Sequence, residues 1–556
     1  MSAPAEPVPA APRRLWLVLM ALVGVGLPLL PALSEGGVPG GGPDVVSTLW
    51  GMWWFQQAGF GMPLGGETLL VNHPFGAHGV VLSPSTAGAW AVLEPALGAG
   101  GASTLTVAGI VLALAASVWL LARALGLGAT GAAVAAGSLL VGRYLLFGAG
   151  EGSVVAIANV PLPLGLAALA WILRGRGGWG TALGLATCTV GVAAENPYLA
   201  PVLPLLAGGV VLFRALRTRR LGAEDLRALA GVFIGGLGVL LVADVFGRSA
   251  SPDYPREIAG TLLTLGPWEF TVVDLPWARV RPLEVLWGGA VRWTVDAAGG
   301  VSAGGGRTLG LGVVLLAAFG GLRDRAARPW LALAAACFVV ALGSQVGDIG
   351  APFLYLNTVM AASARPLTQP VRFLALTHIA LAVAAGFGAQ SLAHRHGSRA
   401  VLGVGTALLV ECLVLGGGAL RLPVTLLPDA PCVEGLDEGA VLVWPWDAQD
   451  GEPSRAQLLQ IRHGQPAPHP GIASWRQLER SATERVRAMG VSQRGRSPGE
   501  LQLGRLDQHG YRWVVVDEAA APEGRAVMRP QLGRPVAECE GYAVFDIQAP
   551  ARGPLE

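Results

Sequence analysis

The stretch RRLWLVLMALVGVGLPLLPALSEGGVPGGGPDVVSTLWGMWW, residues 13–54, decides the architecture. Two arginines precede an apolar run over 15–33 that contains no charge, and a glycine- and proline-rich break then leads into Asp44 and a set of tryptophans. A run of that length crosses the ~30 Å hydrocarbon core of a bilayer as a helix. Pro31 interrupts its end and no convincing small-residue cleavage site follows before Glu35, so the run is expected to be a retained first span and not a removable leader.

Working outward, further apolar runs fall at 104–121, 127–142, 154–173, 179–194, 198–213, 229–246, 309–322, 330–343, 373–392 and 400–420. Together they predict a polytopic α-helical membrane protein of about 11 transmembrane helices. The composition agrees, because 52% hydrophobic and only 14% charged residues cannot cover the surface of a water-soluble protein of 556 residues. A formal charge of +2 leaves no basic face for nucleic acid. Every basic residue is arginine. These arginines orient the chain: Arg13 and Arg14, Arg123, Arg174 and Arg176, the cluster from Arg214 to Arg227, Arg323, Arg325 and Arg328, and Arg395 with Arg399 all fall in loops of one parity. The positive-inside rule makes that side cytoplasmic. The expectation is a multi-pass protein of the inner (plasma) membrane, with its N-terminus in the cytoplasm and residues 421–556 outside the cell membrane. The outer loops are then 34–103, which contains no arginine, 143–153, 247–308 and 344–372.

The expected domains are a transmembrane domain over 1–420 and an extracytoplasmic domain over 421–556. In the latter, short strands at 441–446, 512–517 and 542–547 alternate with helices near 455–462, 477–489 and 497–508, which reads as a small α/β module. Cys432 and Cys539 both lie in this tail, where an oxidising compartment permits either a disulfide or two free thiols.

The first outer loop has a distinctive order. Asp44 stands at the head of an expected amphipathic helix over 45–58 carrying Trp50, Trp53 and Trp54, and Asn72-His73-Pro74-Phe75-Gly76 and Ser83-Pro84 follow. This order resembles the GT-C superfamily of polytopic membrane glycosyltransferases, and more narrowly a bacterial branch with a C-terminal extracytoplasmic domain. Pro43-Asp44 with Trp50 and Trp54 resembles that branch's opening, and His73-Pro74-Phe75-Gly76 its Phe-Tyr-Pro element in altered order. Arg365-Pro366 with Val371-Arg372-Phe373 is similar to its Arg-Pro-x-Arg-Phe element. In the tail, 441–445, His463-Gly464-Gln465-Pro466 and 511–516 are similar to its remaining blocks.

The resemblance implies transfer of a sugar from a polyprenyl-phosphate-linked donor, with inversion, to an envelope glycan, lipid or protein acceptor, among membrane lipids. Asp44 is then the candidate catalytic base, against the alternative that it merely caps its helix. Arg365 and Arg372, with Arg143 and Tyr144 at another outer helix end, are candidates for the donor phosphate, because a guanidinium grips phosphate through parallel hydrogen bonds; the alternative is snorkelling to headgroups. Glu195, which interrupts an apolar stretch in Glu195-Asn196-Pro197, is either a substrate group or part of a turn. Trp50 and Trp54 are substrate contacts or interface anchors, as are Trp268, Trp277, Trp287 and Trp293 of the long loop. No cofactor is called for. A divalent metal on His73 and His78 with Asp44 is the alternative to structural histidines. A transporter or a nonenzymatic envelope assembly factor on a GT-C-like scaffold is the rival to the enzyme.

Overall fold

The computed structural model describes residues 10–41, 43–57, 67–68, 70, 77–78, 83–150, 157–196, 199–247, 260–265, 268–273, 292–295, 301–304, 310–342, 370–416, 420–444, 455–467, 503–519 and 522–548. They divide into two units. The first comprises Met1–Gly41, Leu82–Ala243 and Arg256–Val424, and the second Gly42–Val81, Asp244–Pro255 and Thr425–Glu556. This division departs from a simple cut at 420: the segment 42–81 of the first outer loop groups with the C-terminal residues.

In the first unit, each apolar run of the sequence contains a helix among its described residues. The helices are Ala10–Ala21 continuing into Leu27–Glu35, Pro84–Ala124, Ala129–Leu140, Pro161–Leu173, Trp179–Glu195, Val202–Thr218, Ala223–Gly247, Leu311–Arg323, Arg328–Ala341 and Leu374–Gly416. Among the described residues, Leu15–Glu35, Pro84–Ala124 and Val371–Gly397 are long and apolar enough to cross a membrane by length and composition. The first helix widens into a π turn over Leu22–Gly26, closed by Leu27 N–H donating to Leu22 O. Pro28 is the reason, since its ring would clash with the carbonyl four residues back in a regular helix. The runs 373–392 and 400–420 form one element broken at Gly397, whose φ of 73° stands where the sequence predicts a loop.

Every residue from Phe373 to Ala389 is buried, so this segment is the axis of its unit. Glycine lets neighbours reach it. A Cβ on Gly131 would lie 2.8 Å from Gly386 O, and one on Gly386 would lie 2.7 Å from Gly131 O. On another face, a Cβ on Gly320 would lie 2.5 Å from Ala384 O, and one on Gly388 would collide with Leu316 O. Close backbone approach is how helices gain contact where apolar burial gives no advantage over lipid. Helix ends are closed by charge. Arg174 donates to Ala124 O (2.8 Å) and Leu125 O (2.7 Å), Arg214 to Leu173 O (2.7 Å) and Arg328 to Gly321 O (3.1 Å). These guanidiniums therefore satisfy carbonyls that a helix C-terminus leaves without partners. At an opposite pole, Glu411 accepts from Leu311 N–H (2.5 Å) and Gly312 N–H (2.8 Å) at a helix start. In the long loop, Gly260–Leu265 pairs antiparallel with Trp268–Val273, and Arg292–Val295 with Val301–Gly304. Its tryptophan side chains lie outside the described residues.

The second unit centres on a four-stranded sheet in the order Ala537–Cys539, Tyr542–Asp546, Tyr511–Asp517, Ala440–Trp444. The last two strands are parallel and the other pairs antiparallel. Alternation sorts their side chains by face. Leu442, Trp444, Val514, Val516 and Phe545 pack with Leu506, Met528 and Leu532 on one side. Val441, Val443, Trp513, Val515 and Val544 pack with Ala456 and Leu459 on the other. The strands expected in the tail fall in this sheet; the helix expected near 477–489 lies outside the described residues. A Cys432–Cys539 disulfide joins the edge strand to a turn at Pro431–Val433.

Candidate functional site

Asp44 occupies the first turn of the helix Pro43–Gln57. Pro43 suits a helix start because its missing N–H would have no partner there, and an acid in the first turn meets the positive end of the helix. The helix thus begins before Asp44 and not after it, which corrects the capping alternative. The side chain of Asp44 lies outside the described residues, as do Arg365, His73, and the side chains of His78 and Arg143.

The tryptophans of this helix are interior. Trp50 and Trp54 are 1% and 2% exposed and stack with ring centroids 6.4 Å apart at 12°. Trp50 Nε1–H donates to Gln460 Oε1 at 2.6 Å. The expectation of an interface anchor or a substrate-facing surface is therefore not what the packing presents: a helix this closely covered uses its indoles as core. Hydrophobic periodicity could not reveal this, because an aromatic face looks the same whether it meets lipid or a domain.

Glu195 is also enclosed, and its neighbours explain why. One carboxylate oxygen accepts from Ser85 N–H (2.9 Å) and the other from Ser83 Oγ–H, while Ser83 Oγ lies 2.5 Å from Thr86 Oγ1. The carboxylate thus closes the N-terminal turn of Pro84–Ala124, where the helix dipole favours negative charge. Next to it, Asn196 Nδ2 donates to Asn159 Oδ1 at 3.1 Å. The geometry gives Glu195 an architectural task.

Tyr144 and Arg372 lead to a residue that the sequence reading passed over. Tyr144, in the first turn of the helix Arg143–Gly150, is buried and meets His378 edge-on, with ring centroids 6.4 Å apart at 86°. His378 is 1% exposed, and neither ring nitrogen has a hydrogen-bond partner among the described residues. A side chain on Gly142 would occupy the space of this imidazole. Arg372, half-buried, lies in the turn Pro370–Phe373 six residues earlier on the same element. Gly41 N–H donates to Gly150 O at 2.8 Å, which fixes the start of the first outer loop to the far end of the Tyr144 helix. The signal for His378 was present in the sequence as the one histidine of the run 373–392. Among the described residues, no three His, Cys, Asp or Glu side chains gather as a metal site.

The comparisons with known proteins place this architecture. No family model and no curated protein sequence matches the chain. Among solved structures, the arabinofuranosyltransferase AftD from Mycobacteria matches over 99% of this chain with a TM-score of 0.54 and 16% identity. The chain spans 41% of the length of AftD. ArnT from Cupriavidus metallidurans bound to undecaprenyl phosphate matches at TM-score 0.47 and 12% identity, covering 98% of this chain and 99% of ArnT. The oligosaccharyltransferase of Archaeoglobus fulgidus matches at 0.46 and 12%, covering 93% and 71%. At such identities the likeness is one of fold, and only AftD is close enough in shape to carry it. The chain has a GT-C-like fold.

Proposed function

We propose that this protein is an inverting glycosyltransferase that transfers a sugar from a polyprenyl-phosphate donor to a cell-envelope acceptor on the extracytoplasmic face. The topology in this reading has about 11 spans, a cytoplasmic N-terminus and an extracytoplasmic C-terminal unit. The fold shared with an arabinofuranosyltransferase supports it. The observation that carries it is His378. A buried imidazole with no hydrogen-bond partner among the described residues is costly in an apolar bundle unless a polar ligand meets it; Tyr144 touches its ring, and Arg372 lies in the turn that leads into its helix.

In the reaction, Asp44 takes the proton of an acceptor hydroxyl while that oxygen attacks the anomeric carbon from the face opposite the phosphate. The bond from the anomeric carbon to the phosphate oxygen breaks, and its electron pair stays on the departing lipid phosphate. Arg365, Arg372 and Arg143 offset that charge, with Tyr144 and His378 as hydrogen-bonding groups. Glu195, Trp50 and Trp54 hold the scaffold.

Asp44→Asn tests the base. Removal of a general base is expected to lower transfer by about 100-fold or more, read as envelope glycan and glycolipid profiles and as turnover of a polyprenyl-linked sugar. A correctly inserted, abundant Asp44→Asn protein with full activity would remove Asp44 from the mechanism. Profiles that do not change when the whole chain is deleted would turn the assignment toward transport or nonenzymatic assembly.

A further inference from the structure

A helix enclosed on most sides has little reason to carry glutamine. Yet in the helix Arg455–His463, Gln457 and Gln460 are 2% and 0% exposed, and His463 is 5% exposed. Burying a carboxamide is tolerable only when its hydrogen bonds are made. For Gln460 they are made to a segment distant in sequence. Its Oε1 accepts from Trp50 Nε1–H at 2.6 Å. Its two Nε2 hydrogens go to Leu70 O at 2.5 Å and to Gln465 O at 2.9 Å. Ala467 N–H donates to the same Leu70 O at 3.0 Å.

The bonds continue into the sheet. Val441 N–H donates to Pro466 O at 2.8 Å, Gln465 Nε2 donates to Leu436 O at 3.0 Å, and Gln465 N–H donates to His463 Nδ1 at 3.0 Å. That last bond makes Nδ1 the acceptor and places the ring proton on Nε2. The block 463–467 is therefore bonded to the sheet through Pro466 and to the first outer loop through Ala467. Trp50 lies six residues after Asp44 on one helix, about 9 Å along its axis at 1.5 Å per residue. What holds Trp50 holds the base of that helix in register.

We propose that Gln460 is a positioning residue for Asp44: through Trp50 and Leu70 it clamps both sides of the first outer loop onto the C-terminal sheet and so sets where the carboxylate stands. The chemistry is that of a carboxamide matched to one indole donor and two carbonyl acceptors, which no apolar side chain reproduces. The C-terminal unit then contributes to turnover without touching substrate. This rests on the glycosyltransferase reading for its effect on rate, while the clamp itself can be read without it.

The test uses the full chain in lipid nanodiscs, with Gln460→Leu, Trp50→Phe, the double variant, and Gln457→Leu as a control on the same helix. Gln457 Oε1 has no partner among the described residues, so replacing it removes no bond from the clamp. In Gln460→Leu, amides of residues 45–57 are expected to exchange about tenfold faster, while those of 511–517 and 542–546 keep their protection. Transfer is expected to fall about tenfold in kcat, with KM for the donor within about twofold, as for loss of an interaction that acts on the transition state alone. The double variant should be no worse than the more impaired single one, because both remove the same link. Unchanged exchange over 45–57 overturns the proposal. So does loss of protection across the whole sheet, or an equal effect from Gln457→Leu, since either means general loosening. Exchange coupling that persists while Asp44→Asn retains full activity leaves the clamp standing as a structural link, removes Asp44 from the mechanism, and so overturns the positioning role.

Discussion

The two units solve the problem of cohesion by different physics. In the helical unit the axis segment 373–389 meets its neighbours through Gly131, Gly386, Gly320 and Gly388, with backbone against backbone. In the sheet unit, cohesion comes from alternating side chains on both faces, a disulfide and the Gln460 clamp. The difference follows from solvent. Lipid rewards helices only for fitting closely, because apolar groups are already satisfied there, whereas water rewards burial itself.

That contrast can be broken or sharpened at three places. The largest effect is expected at the disulfide. Its 107-residue separation makes it a long-loop crosslink, so Cys432→Ser should cost the sheet unit about 4 kcal/mol, read as the midpoint of its unfolding in urea. A midpoint unmoved by the substitution or by reductant would mean that the sheet's two cores suffice. Next, Gly388→Ala should cost about 3 kcal/mol, because the added methyl meets the Leu316 carbonyl and two helices must separate. Gly524→Ala, in the sheet unit, should cost about 2 kcal/mol: its methyl meets the buried side chains of Trp444 and Val516, which must repack, but no backbone has to move apart. Equal costs, measured by thermal unfolding in nanodiscs, would erase the distinction between backbone and side-chain packing.

The last test concerns pH. Burial pushes His463 down to about 3 from its usual 6.5, so the folded chain keeps the ring neutral while the unfolded chain takes up a proton first. The stabilisation is complete above about pH 6.5 and is lost progressively as pH falls toward 3. By pH 5 the loss should be about 2 kcal/mol. His463→Gln should flatten this slope in the sheet unit and leave the helical unit unaffected. A wild-type unfolding midpoint that does not change between pH 7 and pH 5 would show that the ring is not enclosed in solution.

Much of the fold could be read from local pattern. Each apolar run contains a helix among its described residues, and the tail strands at 441–446, 512–517 and 542–547 formed within a residue or two of their expected bounds, whereas the choice between a Cys432–Cys539 disulfide and two free thiols was made only in space. The candidate site was less legible. Tyr144 and Arg372 were singled out as outer helix ends, but His378 was hidden in an apolar run whose average character conceals one polar residue. Trp50 and Trp54 were read as a surface feature and proved to be core. Glu195 was noticed for its charge, yet its partners Ser83 and Ser85 lie more than 100 residues away in the chain and could be found only in space.

The sequence by itself determined the apolar helices and the short strands of the tail, because hydropathy and periodicity act over a turn or a strand and need no distant partner. Tertiary structure alone decided that the helix Pro43–Gln57 groups with the C-terminal sheet, that Gln460 completes Trp50, and that His378 stands beside Tyr144 with neither nitrogen bonded among the described residues. The reason is the same in each case. Hydrogen bonds and close packing depend on positions fixed to within an ångström, and residues hundreds of places apart acquire such positions only when the whole chain has folded.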